Sequence, residues 1–212
     1  MYTCALCNKK DCEKGILDHI PINCPCGETD ELEKIKELYL EEENYRLAYN
    51  SALVESEGYC KKTRLEEIID FANKCGYKNL GLAFCLGLAS EAKMLYDILK
   101  HNGFEVNSII CKNGSIPKEV LKIDDNQKVI PGTYEPICNP IAQAMFLNKA
   151  KTDFNIMLGL CVGHDSLFFK HSEAPVTVLA AKDRVLGHNP MVALYMSQSY
   201  YKEKLYPEKN KK

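Results

Sequence analysis

Eleven cysteines in 212 residues constrain this chain more than any other feature. At that density thiols must be paired, metal-bound, reactive or packed as small hydrophobes. The odd number argues against complete internal pairing. Met1 is followed at once by Cys4, Cys7 and Cys12, with no apolar stretch that could serve as a signal peptide. The expectation is therefore a cytoplasmic, reducing compartment in which disulfides do not persist.

Position divides the cysteines. Residues 1–28 hold Cys4, Cys7, Cys12, Cys24 and Cys26, interspersed with Gly15, Pro21, Pro25 and Gly27. Too few large apolar side chains occur there for a core, and metal coordination is the usual substitute for burial in so short a piece. The spacing, Cys-x2-Cys-x4-Cys followed by Cys24-Pro25-Cys26, matches neither a zinc ribbon nor a ferredoxin run. Zinc and an iron–sulfur cluster both remain open for this segment, and His19 can substitute for one thiolate.

From Asp30 to about Gly58 the pattern is helical, as one helix or two joined near Glu41–Glu43, with a capping box expected from Asp30 and Glu33. A further helix is expected from Thr63, capped by Glu66, to Gly76. Beyond Gly76 strands and helices alternate. Strands are expected at Asn79–Phe84, Glu105–Ile110, Phe154–Leu160 and Val176–Ala181. Helices are expected at about Ser90–Asn102, from Asn139-Pro140, from Asp165 or Ser166, and from Asn189-Pro190. A long excursion spans Lys112 to Glu135. The near-continuous apolar run of Asn79–Phe84 suits a parallel strand covered on both faces.

This alternation predicts an α/β fold: a Rossmann-like, doubly wound, mainly parallel sheet of about four strands, preceded by a helical hairpin and the cysteine-rich module. The expected divisions are 1–28, 29–76, 77–201 and a polar, frayed tail over 202–212.

Ligands of such sheets bind beyond the carboxyl ends of the strands. Cys85, Cys111 and Cys161 directly follow the first three expected strands, and Cys138 precedes a helix whose N-terminus faces the same edge. A single strand-end cysteine is usually a small buried hydrophobe. Four at one edge point to a metal centre, and the helix N-terminus favours a thiolate at Cys138. An internal echo supports this: Cys85-x-Gly-x-x-Ser and Cys161-x-Gly-x-x-Ser each open a helix. Likewise Cys138-Asn139-Pro140 is matched by His188-Asn189-Pro190, each pair offering an N-cap and an N1 proline. Soft thiolates scattered over several elements suit an iron–sulfur cluster or a reactive metal better than a structural zinc knuckle. His164, His188, Asp183 and Arg184 follow the last two strands and are the candidate acid–base or anion-binding groups. Capping or surface pairing is their plain alternative. Cys60 and Cys75, on or beside the helical hairpin, read as packing, and His101 and His171 as surface groups in last helical turns.

Other functions are excluded by what is missing. A formal net charge of −2 leaves no basic surplus for nucleic acid. No apolar run reaches the length of a membrane span. No GxGxxG follows the first expected strand and no Walker loop occurs. A Cys161/His164 nucleophile pair leaves the other three thiols without a role.

The stretches Gly-Leu-Cys161-Val-Gly-His164-Asp-Ser, Lys182-Asp183-Arg184-Val-Leu-Gly-His188-Asn-Pro190 and Cys138-Asn-Pro-Ile-Ala-Gln resemble a family of small cysteine-rich proteins. That family is common in anaerobic bacteria and archaea, and is described as metal-binding and of unknown function. The resemblance covers most of the chain, including Cys4-x2-Cys7 and the Tyr45–Tyr59 region. It implies a metal role for Cys4, Cys7, Cys12, Cys24, Cys85, Cys111, Cys138 and Cys161, in two sets of four. Cys26, Cys60 and Cys75 are less typical of its pattern.

The expected function is an iron–sulfur or other metal-binding protein. It would act by redox or sulfur-transfer chemistry on a small molecule, or pass electrons to a partner. The alternative is a non-catalytic zinc or metal-handling protein, a chaperone or sensor.

Overall fold

The computed structural model describes residues 1–208. It divides into two compact units, Met1–Tyr59 and Cys60–Lys212.

The first unit begins with three 3₁₀ turns, Cys4–Leu6, Asp11–Lys14 and Pro25–Gly27. No residue from 1 to 28 is buried. Helices α1 (Thr29–Leu40) and α2 (Glu42–Gly58) follow. The expected break near Glu41 is real: Glu41 is extended (φ −63°, ψ 139°) and interrupts the helix for one residue. The expected Asp30/Glu33 capping box is not formed. Helix α1 starts one residue earlier, with Glu28 at its N-cap and no side-chain cap, so Asp30 sits in the first turn, where its charge opposes the helix dipole.

In the second unit, α3 (Arg64–Lys74) is closed at its start by Thr63 and Glu66 in a full capping box. The Thr63 N–H donates to Glu66 Oε2 at 2.7 Å. These hydrogen bonds hold the Glu66 carboxyl below its usual range. Thr63→Ala is expected to cost about 1 kcal/mol, the ordinary value of an N-cap hydroxyl, measured as a lower urea midpoint. The α3 helix belongs to this unit and contacts its fourth strand.

Then come β1 (Asn79–Phe84), α4 (Ala89–His101), β2 (Glu105–Ile110), α5 (Pro140–Lys149), β3 (Phe154–Leu158), α6 (His164–His171), β4 (Val176–Ala180), α7 (Met191–Tyr195) and α8 (Lys202–Leu205). Thus part of the tail is helical, and its positions 209–212 lie outside the described residues. No helix among the described residues is long and apolar enough to cross a membrane.

The four strands form one all-parallel sheet in the order β2-β1-β3-β4. The chain moves from β1 to one side and then returns past it to β3. With right-handed crossovers, α4 covers one face, while α5 and α6 cover the other, and α5 and α6 do pack together. The adjacent β1 and β3 mark the switch point, where chain connections leave in opposite directions. Leu80, Leu82, Leu147, Ile156 and Phe168 are fully buried in the core. Close strand packing depends on Gly81, since a Cβ there would lie 1.9 Å from Asn155 Oδ1.

Candidate thiol site at the carboxyl edge of the sheet

The sheet register brings the strand-end cysteines together. Phe84 pairs with Ile110 on β2 and with Leu158 on β3. Cys85 and Cys111 each come one residue after this row, whereas Cys161 comes three residues after Leu158. Helix α5 supplies Cys138 just before its N-cap, where the Asn139 side chain accepts from the Ala142 N–H.

Cys111 is the centre of the arrangement. Its side chain is 2% exposed, and its thiol is hydrogen-bonded to both Cys138 and Cys85. Its Sγ accepts the Leu86 N–H at 3.2 Å, its N–H donates to the Phe84 carbonyl, and its carbonyl accepts the Asn139 N–H at 2.7 Å. The excursion after Cys111 is an ordered loop whose returning end is tied down by the Ile137 N–H donating to the Ile116 carbonyl. Cys111 is therefore anchored to the elements that carry both of its thiol neighbours.

The three neighbouring sulfurs differ in how readily each carries charge. The Cys111 hydrogen bond, the Gly87 N–H and nearby Lys182 bring Cys85 down to about 5. The Cys111 hydrogen bond, then the His164 imidazole and Lys112, bring Cys138 down to about 4. Cys111, facing two sulfurs that carry charge more readily, is pushed up. The Cys138 sulfur in turn raises His164. Arg184 Nη2 donates to Cys161 Sγ at 3.3 Å.

The four candidate polar groups separate into two kinds. His164 and Arg184 touch thiols. Asp183 and His188 fold the loop after β4: Asp183 Oδ1 accepts the Val185 and Leu186 N–H groups, and His188 Nδ1 accepts the Asp183 N–H. His188 is held at φ +65°. The Asn-Pro echo is likewise unequal, because Asn139 caps α5 while Asn189 makes no cap and Pro190 takes the N-cap position of α7.

Three groups escaped the sequence reading. Lys182 stands beside Cys85 and close to Gly87, and Lys112 beside Cys138. The third is Gln143, fully buried on α5. Its Nε2 donates to the carbonyls of Phe84 at 3.1 Å and Ile109 at 2.7 Å. It clamps β1 to β2 just before both cysteines. Lys182 follows the last strand directly and was findable by the same strand-end rule. Gln143 ends the Cys138-Asn-Pro-Ile-Ala-Gln stretch, but nothing in the sequence marks its clamping role.

The second cysteine group lies in the first unit. Cys4, Cys7, Cys12, Cys24 and Cys26 all line one hollow of about 340 Å³. Cys7, Cys12, Cys24 and His19 also line a smaller one of about 30 Å³. The N–H groups of Lys10 and Lys9 point at the Cys7 sulfur and lower its pKa. Cys26 is raised by its hydrogen bond to Cys24, with Cys12 close by.

All eleven cysteines are free thiols. Cys75 is buried, as packing requires, but Cys60 is exposed at φ +55° and does not pack. Among the described residues, no three or more His, Cys, Asp or Glu side chains converge as a set that could hold a metal ion.

Residues 24–179 match the family described as "Protein of unknown function (DUF1847)". The chain belongs to the DUF1847 family. An uncharacterized protein of Methanocaldococcus jannaschii is 48% identical over 202 residues, covering 95% of this chain and 97% of the relative. The matched DUF1847 span includes Cys85, Cys111, Cys138 and Cys161, and excludes Cys4, Cys7 and Cys12 as well as the loop of Lys182 to His188. No solved structure matches.

Proposed function

We propose that this DUF1847 member is an iron–sulfur protein whose thiols at the switch point of a Rossmann-like domain hold a cluster for redox or sulfur-transfer chemistry on a small molecule. The observation that carries this reading is the row Cys85, Cys111 and Cys138, hydrogen-bonded through their thiols, with Cys161 held by Arg184 at the same edge. Four thiols from four separate elements suit a soft metal or a cluster. The backbone supports that donor set: the Leu86 and Gly87 N–H groups face Cys111 and Cys85, and such hydrogen bonds to sulfur tune cluster potential. Lys182, Lys112, His164 and Arg184 offset negative charge gathered on the sulfurs. Loading would require the four side chains to turn toward a common centre, since they do not converge as a metal-holding set in the structure. When bound, a cluster supplies one-electron chemistry or a Lewis-acidic iron.

The N-terminal unit fits a second metal, zinc or another cluster, held by four of Cys4, Cys7, Cys12, Cys24 and Cys26, with His19 at the inner hollow. Its supporting observation is that five thiols face one space in a segment without buried residues, so metal coordination would take the place of a core.

The protein isolated under strict exclusion of oxygen is expected to be brown and to contain iron and acid-labile sulfide. A colourless protein holding only zinc would replace this reading with a non-catalytic, metal-handling one.

A further inference from the structure

We propose that Cys138 and Cys111 form a dithiol–disulfide couple that exchanges with small disulfides, with Cys138 as the attacking sulfur and Cys111 as the resolving one. This couple needs no metal and stands apart from the iron–sulfur reading above.

Cys85, Cys111 and Cys138 bond one another through their thiols instead of converging on a common centre. Such an arrangement suits sulfur–sulfur chemistry, and exposure assigns the roles within it. Cys85 and Cys111 are buried, at 8% and 2% exposed, while Cys138 is partly exposed. A reagent arriving from solvent therefore meets the Cys138 sulfur first among the three. Cys161 is also partly exposed, but its side-chain partner is the Arg184 guanidinium at 3.3 Å. Of these two accessible thiols, Cys138 is the one with a second thiol against it.

The backbone favours Cys111 as that partner. The Cys111 carbonyl accepts the Asn139 N–H at 2.7 Å, so the chain at Cys138 lies against the chain at Cys111. A disulfide joins Cα atoms about 4.4–6.8 Å apart and Cβ atoms about 3.8 Å apart. That reach suits residues tied by a main-chain hydrogen bond and touching through their thiols. Cys85 is the poorer partner. It and Cys111 follow the paired residues Phe84 and Ile110 on adjacent strands, and the strand spacing of about 4.8 Å keeps their Cβ atoms farther apart than a disulfide takes. Gln143 fixes that spacing through the Phe84 and Ile109 carbonyls. Cys138 lies outside the sheet, in the segment leading to α5, and escapes that restraint.

The exchange runs through a mixed disulfide. The Cys138 sulfur attacks one sulfur of the small disulfide, whose S–S bond breaks. A bond from Cys138 to that sulfur forms, and the other half leaves as a thiol carrying the Cys138 proton. The Cys111 sulfur then attacks the Cys138 sulfur, and the second half leaves as a thiol with the Cys111 proton. Two electrons pass from the cysteine pair, which is oxidised, to the small disulfide, which is reduced to two thiols. In a reducing compartment a disulfide of this kind is transient, catalytic or redox-sensing. While closed, it withdraws Cys111 and Cys138 from any metal.

The test uses the full chain, stripped of metal with a chelator, reduced and kept from oxygen. 2-Hydroxyethyl disulfide is added, remaining thiols are capped with iodoacetamide, and tryptic peptides are analysed by mass spectrometry. Cys85, Cys111, Cys138 and Cys161 fall in separate peptides, 79–93, 101–112, 129–149 and 152–170. The expected wild-type product joins 101–112 to 129–149. Cys111→Ser should stop at the mixed disulfide on 129–149. Cys138→Ser should leave Cys111 unmodified over the time in which wild-type Cys111 is consumed. The wild-type peptide map decides the pairing without any variant: a link from Cys138 to Cys161 or from Cys111 to Cys85, a persistent mixed disulfide on Cys138, or two unmodified thiols would each overturn the proposal. So would modification of Cys111 at the wild-type rate in Cys138→Ser. Iron measured before stripping addresses the metal reading separately. Iron without the Cys111–Cys138 link defeats this couple alone, and the link in protein isolated without iron defeats the iron–sulfur reading alone.

Discussion

Cys111→Ser should strip the edge site of the iron proposed for it while the α/β unit stays folded. Serine has nearly the volume of cysteine, and its hydroxyl can still accept the Leu86 N–H that now meets the sulfur at 3.2 Å. The main-chain bonds from Cys111 to Phe84 and Asn139 are untouched. What disappears is the soft donor at the centre of the row, and a hard alkoxyl oxygen does not replace a thiolate toward iron or zinc. Iron per chain should fall to the amount carried by the N-terminal unit, with an unchanged far-ultraviolet circular dichroism spectrum. Full iron retention in a folded variant would remove Cys111 from the ligand set, and with it the reason for grouping Cys85 with Cys138.

The largest effect on stability should come from Gly81→Ala. Gly81 lies inside β1, between β2 and β3. An added Cβ would meet Asn155 Oδ1 at 1.9 Å and Leu147 Cδ1 at 2.9 Å. Asn155 cannot simply retreat. It is fully buried, its Oδ1 accepts the Thr152 hydroxyl at 2.8 Å, and its Nδ2 donates to Ser172 Oγ at 2.8 Å. Overpacking a core position costs about 1–3 kcal/mol, and a buried polar group left unpaired adds about 1–3 kcal/mol. A loss of about 3–5 kcal/mol is therefore expected in chemical denaturation. A change below about 1 kcal/mol would mean that the strands can spread without breaking the Asn155 network.

Parts of this structure were legible in the chain for identifiable reasons. Strands β1 and β2 fall at their expected bounds because each is fenced by turn residues, Gly76 before the first and Gly103 before the second. Both glycines adopt positive φ. Strand β3 ends two residues early, at Leu158 instead of Leu160, because Gly159 takes φ +66° within an otherwise apolar run. Apolar pattern carries no information about that dihedral. The α1 start was misplaced for a related reason: Asp30 and Glu33 have the right spacing for a capping box, but the helix needed no side-chain cap to begin at Thr29.

The thiol cluster was legible because parallel strands deliver their carboxyl ends to one edge, whatever their order. The identity of the groups around it was less so. His188 and Asp183 share that edge with Arg184, yet loop hydrogen bonds draw them into backbone capping while the longer arginine reaches a sulfur. Spacing in the chain does not register side-chain reach. The role of Gln143 is invisible for the opposite reason. A buried glutamine is a poor guess in any apolar helix, and only the two carbonyls it bridges explain its presence.

That bridge has a consequence for how the edge can respond to an incoming charge. Neighbouring parallel strands sit about 4.8 Å apart, and Gln143 pins β1 to β2 at the carbonyls of Phe84, just before Cys85, and Ile109, two residues before Cys111. The sheet thus acts as a ruler for Cys85 and Cys111: the separation of their backbones is a lattice constant of the fold, and only side-chain torsions adjust. If the site carries out the redox chemistry proposed for it, an electron arriving at sulfurs seated on such a ruler would displace few atoms, and little nuclear rearrangement would accompany the change of charge.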